Sequence, residues 1–357
     1  MFRRFAIRPI PSCLGLACLT LLLASPVLHG QSDQPSAGLI QRSGIAVSAR
    51  SKKVYVVDSA HNSITVLGPG GVVKSIRTGA GPIAIAINDR TEKVYSANAG
   101  DRSVSVIDAA TDEVMATART AARPYAIALD EARDEVFVSN TFSNMLTVID
   151  GATNAAHNVK TGSADALLVD SAHARVYLLG YESDALTVFD ETTETTSKLP
   201  AGAMHLWALA LGGNTLYVSH VQDASVAAID TGTGAIHDVP TGAMPCALAL
   251  DAANNRLYVV NYAGASVTAI DTTKNTTLWT LQVGGHPQAL AVDPTGHRLY
   301  AADAQAGQVI VVDTQRQRKL RTIPTAGHPY AIAIEPTTHR VIAATTGGSS
   351  YVEVPEI

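Results

Sequence analysis

Cysteine is scarce in this chain, and helical periodicity is missing from it. Of 357 residues three are cysteine, and two of them, Cys13 and Cys18, fall within the first thirty positions. If that segment is removed, Cys246 is the only thiol, which excludes an internal disulfide and leaves stability to packing and strand number. No apolar pattern recurs at 3.6 residues, so a helical fold is excluded. Charge blocks and low-complexity linkers are also missing after about residue 43. The chain has no Gly-x-Ser-x-Gly elbow, no His-Glu-x-x-His, no phosphate-binding Gly-rich loop and no Cys-x-x-Cys. Those absences weaken the case for an enzyme without removing it, because a catalytic set drawn from separate segments leaves no linear trace.

Basic charge is in deficit too. The first thirty residues hold Arg3, Arg4 and Arg8 and no acid, so the remainder carries 26 − 3 = 23 basic against 31 acidic residues, a formal charge of −8. A protein made chiefly to hold phosphate backbones is usually basic, so nucleic acid is disfavoured as a partner.

What the chain does contain begins with those three arginines. An apolar run from Cys13 to Ala24 follows, and then Ser25-Pro26-Val27-Leu28-His29-Gly30-Gln31. This is the three-part form of a secretory signal peptide over residues 1–30, with cleavage expected near Gly30. The alternative is an uncleaved anchor, although the run is short for a bilayer span of about 20 residues. The expected location is the periplasm or the medium, with no stable membrane span after cleavage.

From residue 44 one unit repeats. Its clearest copy is Cys246 to Asp271, CALALDAANNRLYVVNYAGASVTAID, read as three short strands separated by polar turns. The hydrophobic-aromatic pair of the second strand recurs as Val54-Tyr55, Val94-Tyr95, Val136-Phe137, Val176-Tyr177, Leu216-Tyr217, Leu257-Tyr258, Leu299-Tyr300 and Val341-Ile342, at spacings of 40, 42, 40, 40, 41, 42 and 42. A period near 40 filled by short strands predicts an all-β fold, a β-propeller of four-stranded blades. Alanine-rich first strands such as Ala84-Ile-Ala-Ile87 suit the crowded axis. Third strands close on Asp108, Asp150, Asp190, Asp230, Asp271 and Asp313, read as turn formers. Eight first, second and third strands but seven clear fourth strands are present. The expectation is eight blades in a single domain over residues 44–357; seven blades plus a partial unit is the alternative. Within the N-terminal segment 31–43, Gly38 to Gln41 are expected to supply the missing outer strand and cover its edge.

Tyr258-Val-Val-Asn261, Phe137-Val-Ser-Asn140, the Val-Ile-Asp third strands and lead-ins such as Gly79-Ala-Gly-Pro82 and Gly284-Gly-His-Pro287 resemble the YVTN-repeat β-propeller family. That family includes YncE-like periplasmic proteins and repeat domains of archaeal surface-layer proteins. The resemblance spans residues 44–354 and implies a propeller and an exported location. It also raises single-stranded DNA binding, as in YncE-like members, which the −8 charge opposes. Seven blades are usual in YncE-like members, and the eight copies here depart from that.

Candidate site residues come from positions where the copies diverge. Loops joining second and third strands share a face with the lead-in loops, around the mouth of the channel. Before the lead-in proline position stand Gly81, Arg123, Ser163, His205, Met244, His286 and His328; after it stand Ile83, Tyr125, Asp165, Trp207, Cys246, Gln288 and Tyr330. Arg123, Tyr125, Trp207, Tyr330 and Tyr262 make a possible aromatic and cationic rim for a planar, sugar-like or anionic ligand; the alternative is that they plug the channel and pack between blades. His205, His286 and His328 occupy equivalent places and could hold Zn or Cu, or bond locally to backbone. The leading reading is an exported, non-enzymatic scaffold binding a protein, polymer or small ligand of unknown identity, with no cofactor assigned. A metal-dependent lactonase-like or cofactor-associated enzyme is the alternative.

Overall fold

A computed structural model describes residues 44–141, 143–347 and 351–354. Apart from a single 3-10 turn at Ser59–His61, its regular structure is β throughout. Among the described residues the strands form seven four-stranded antiparallel sheets and one three-stranded sheet, each in sequence order from inner to outer strand. These are blades 1 to 8, spanning 45–77, 82–119, 124–160, 166–200, 206–240, 245–282, 289–324 and 328–354. First strands pack side by side from blade 1 to blade 8, and the last lies against the first, which closes the ring. The eightfold expectation holds and the seven-blade alternative does not.

Blade 6 shows why the repeat builds such a unit. Its second strand, Arg256–Asn261, pairs Leu257 with Leu250 on one side and with Ile270 on the other. The β-branched and aromatic residues of the second and third strands are buried on both faces, because each blade lies between two neighbours. The outer strand Thr276–Gln282 is mostly exposed and correspondingly variable in sequence. Side chains from adjacent blades merge into shared apolar clusters, the largest running through blades 4 to 7.

The third-strand aspartates are turn residues, as their sequence context predicts. Asp230 Oδ1 accepts from the amides of Gly232 and Thr233 at 3.1 and 2.7 Å and from Thr233 Oγ1 at 2.8 Å. Asp108, Asp190 and Asp313 repeat the pattern. For Asp230 these amide and hydroxyl donors hold the carboxyl below its usual range.

Blade 8 comprises His328–Ile334, Val341–Thr346 and Tyr351–Val354. The residues expected to complete it, 38–41, lie outside the described residues. Closure against blade 1 is made by Tyr330, whose hydroxyl donates to Val57 O at 3.5 Å, and by Arg340 Nη1, which donates to Gly68 O at 2.9 Å. Arg340 also pairs with Glu353 at 2.9 Å.

Candidate functional site

The lead-in residues owe their placement to a repeated irregularity. In blades 2, 6 and 8 the register slips between the proline and the residue two places on, so Ile83, Cys246 and Tyr330 are extra residues that the register passes over. Blades 3 and 5 carry the same break across Tyr125 and Trp207. A bulge of this kind turns a side chain away from the pleat, and it recurs at the entrance of these blades to the axis. In blade 4 Asp165 stands just before the first strand, with its amide on Leu179 O at 2.7 Å; in blade 7 Gln288 does the same through Ala302 O at 2.8 Å.

The structure brings part of the predicted set together. Tyr181, Trp207 and His205 form one aromatic group: the Tyr181 and Trp207 centroids are 5.3 Å apart at 85°, and those of Tyr181 and His205 5.2 Å apart at 62°. Asp165 fixes the loop carrying Tyr181 by accepting from its amide at 2.9 Å. Tyr262 and His286 make a second pair at 5.2 Å. Tyr125, Tyr181 and Tyr262 pack against the same apolar cluster that contains Trp207 and Cys246. Trp207 is only 3% exposed, and its indole N–H has no partner among the described residues. It therefore backs the group, while half-buried Tyr181 and His205 form its outer wall.

Other predicted residues are placed elsewhere. Tyr330 is buried in the seam between blades 8 and 1, in the packing role rather than on an open rim. His328 is exposed, and its Nδ1–H donates to Ala304 O at 2.7 Å. Arg123 is exposed on the lead-in of blade 3, and its carbonyl accepts from Thr141 Oγ1 at 3.3 Å. Among the described residues no group of three or more His, Cys, Asp or Glu side chains is arranged to hold a metal ion. His205 packs edge-to-face and His286 tilted against tyrosines, and His328 bonds to backbone.

Sequence reasoning missed Tyr181, although a signal existed. It stands four residues after Tyr177, as Tyr262 stands four after Tyr258, so the two are copies of one loop position. A second omission lies on the opposite face. Across the seam between blades 3 and 4, Arg133 Nη1 is 2.8 Å from Asp130 Oδ2, and Arg133 Nε is 3.7 Å from Glu191 Oε2. Burial and the neighbouring Asp130 carboxyl push Glu191 up to about 8, with Arg133 opposing. Asp130 is also buried, but hydrogen bonds from the Arg133 side chain and from the Arg133 and Ala132 amides outweigh that and hold it below the usual range.

No protein-family model matches the chain, and no curated protein matches it. Solved structures do. A chain of Kuenenia stuttgartiensis hydrazine synthase superposes with a TM-score of 0.61 at 14% identity, over 93% of this chain and 99% of that one. Dihydro-heme d1 dehydrogenase NirN, solved in complex with DHE, gives 0.71 at 14% identity, over 95% of this chain and 82% of its own. The β-propeller domain of Myceliophteria thermophila Cps50 (Swd1) gives 0.60 at 12%, over 75% and 94%. The shared feature is the propeller. At such identities the likeness is one of fold, and these folds serve enzymes and other proteins alike.

Proposed function

We propose that the protein is an exported, non-enzymatic propeller of the YVTN-repeat kind that binds a ligand with a flat, weakly polar face on the wall formed by Tyr181, His205, Tyr262 and His286. The observation that carries this reading is the aromatic group Tyr181–His205–Trp207, which is assembled from two blades at loop positions where the repeat diverges. Strands repeat because every blade needs them, whereas the identity of these side chains differs from blade to blade. Rings held edge-to-face by a rigid scaffold offer a preorganised surface for a sugar ring or a planar heterocycle. Export is supported by the three-part segment at residues 1–30.

Trp207 supplies the test. The chain has two tryptophans, so Trp279→Phe leaves Trp207 as the only indole emitter. Purified protein is titrated with neutral oligosaccharides and with planar heterocycles, tetrapyrroles included, and product formation is followed in parallel. Saturable change in Trp207 emission, lost in Tyr181→Ala, is the expected result. No saturable change with any of these, or turnover of a bound compound, would sink the reading.

A further inference from the structure

On the face opposite the lead-in loops, second-strand tyrosines meet the third-to-fourth-strand turn of the next blade. Tyr55 donates to Ala109 O at 3.4 Å and to Asp112 Oδ1 at 3.1 Å, and Lys53 donates to Asp112 Oδ2 at 2.8 Å. Tyr217 likewise donates to Thr272 O at 3.4 Å and to Asn275 Oδ1 at 3.0 Å. In these two seams the last residue of the turn brings an acceptor to the phenol. In the seam of blades 2 and 3, by contrast, the corresponding Tyr95 hydroxyl and Asn154 Oδ1 are not bonded to each other. Both Asp112 and Asn275 hold a left-handed backbone, with φ of 55° and 52°.

Between blades 4 and 5 the counterpart is Gly234, at φ 73°, which brings no acceptor. A Cβ there would have only Leu199 Cδ1 within reach, at 4.0 Å. Next to it, beyond Leu199, is a cleft of about 230 Å³ lined by Arg175, Tyr177, Lys198, Thr195, Ser197 and Thr231 among others. Tyr177 is 1% exposed; its hydroxyl faces the Arg175 and Thr231 side chains but completes no hydrogen bond of normal length among the described residues. Arg175 Nη1 reaches Thr231 O at 3.5 Å and Lys198 Nζ donates to Thr187 Oγ1 at 2.8 Å, so both cations bond to neutral oxygens. Asp190 also lines the cleft and its carboxylate attracts Arg175, while its Oδ1 accepts from the amides of Thr192 and Thr193 and from the Thr193 hydroxyl.

We propose that this cleft binds a small oxyanion, a phosphate, sulfate or carboxylate group, which takes the acceptor place left open at Gly234 and is held by Arg175, Tyr177 and Lys198. A guanidinium beside a buried phenol is a strong donor pair for a charged oxygen, because hydrogen bonds to charged acceptors are shorter and stronger than neutral ones. Burial pushes the Tyr177 phenol up, so it stays a donor across the neutral range. The site is separate from the aromatic wall and does not depend on it.

The test titrates the purified protein with inorganic phosphate, sulfate and acetate by calorimetry at constant ionic strength. Saturable binding of at least one is expected, weakened about tenfold or more in Arg175→Gln and in Tyr177→Phe. The second variant keeps the fold, since blade 3 already carries Phe137 at that position. Gly234→Asp places a tethered carboxylate where Asp112 stands in blade 2; it should abolish binding of all three anions while raising the thermal midpoint. Absence of saturable binding, or binding that persists unchanged in Gly234→Asp, overturns the proposal.

Discussion

Asp130 and Glu191, from adjacent blades, place two buried carboxyls against one another with Arg133 as their shared cation. The pair fills a seam where the repeat is broken on both sides. Blade 3 carries Phe137 where its neighbours carry tyrosine, and Glu191 stands 191 − 137 = 54 residues on, the separation of Tyr55 from Ala109. A carboxyl from one blade therefore occupies the corner that a phenol from the other occupies elsewhere.

Stability should consequently fall on the alkaline side. Glu191 is raised from an ordinary 4.5 to about 8, so the folded protein holds a proton that the unfolded chain releases. Its contribution is complete below about 4.5, declines as pH rises, and is lost above about 8. The charges facing it are Asp130, Glu135 and Arg133. Glu191→Gln, which cannot ionise, should raise the melting temperature near the upper end of this window by a few degrees and flatten its pH dependence. Parallel melting curves for the two proteins across that window check it.

Ring closure offers a steric prediction. A Cβ on Gly44 would stand 2.6 Å from the hydroxyl of Tyr330 and overlap its ring, so Gly44→Ala must displace a buried aromatic that joins blade 8 to blade 1. Overpacking of this kind costs about 1–3 kcal/mol. Chemical denaturation should show that loss. If the clash is its cause, the double variant with Tyr330→Ala should lose less than the sum of the two single losses.

The blades are legible in the chain because each strand answers only to local patterning and a fixed period. Leu257-Tyr258 and its copies suffice to set that period. Trp207, His205, Tyr262 and His286 are legible as divergent loop positions. Glu191 and Gly234 are not, since each matters through a residue more than fifty places earlier in the preceding blade. Ala109, Glu191, Thr231 and Thr272 look like ordinary turn residues until the seam sets them against Tyr55, Phe137, Tyr177 and Tyr217.

Glu335 gives the acid-side counterpart. It follows the first strand of blade 8 and accepts from the amides of Thr337 and Thr338 at 3.1 and 2.7 Å and from both threonine hydroxyls. Burial opposes its ionisation, and those four donors overcome it, holding the carboxyl at about 2 instead of 4.5. Its contribution is present above about 4.5 and lost as pH falls toward about 2. Glu335→Gln retains only one acceptor oxygen and should cost about 1–2 kcal/mol at neutral pH. The gap between the two proteins, read from urea unfolding, should close in acid.

Trp207 is caught between two opposing effects. Its indole is buried against Tyr181, so truncation to alanine should cost about 3–5 kcal/mol through the cavity it leaves. Its N–H is also buried without a partner among the described residues, and an unsatisfied donor costs about 1–3 kcal/mol. Trp207→Phe removes that donor along with part of the ring, so the two changes offset and the net loss should stay below about 1.5 kcal/mol. A measured loss as large as that of Trp207→Ala would mean that the N–H is satisfied in solution. The indole would then be a packing element of the channel, and the binding wall would rest on Tyr181, His205, Tyr262 and His286 alone.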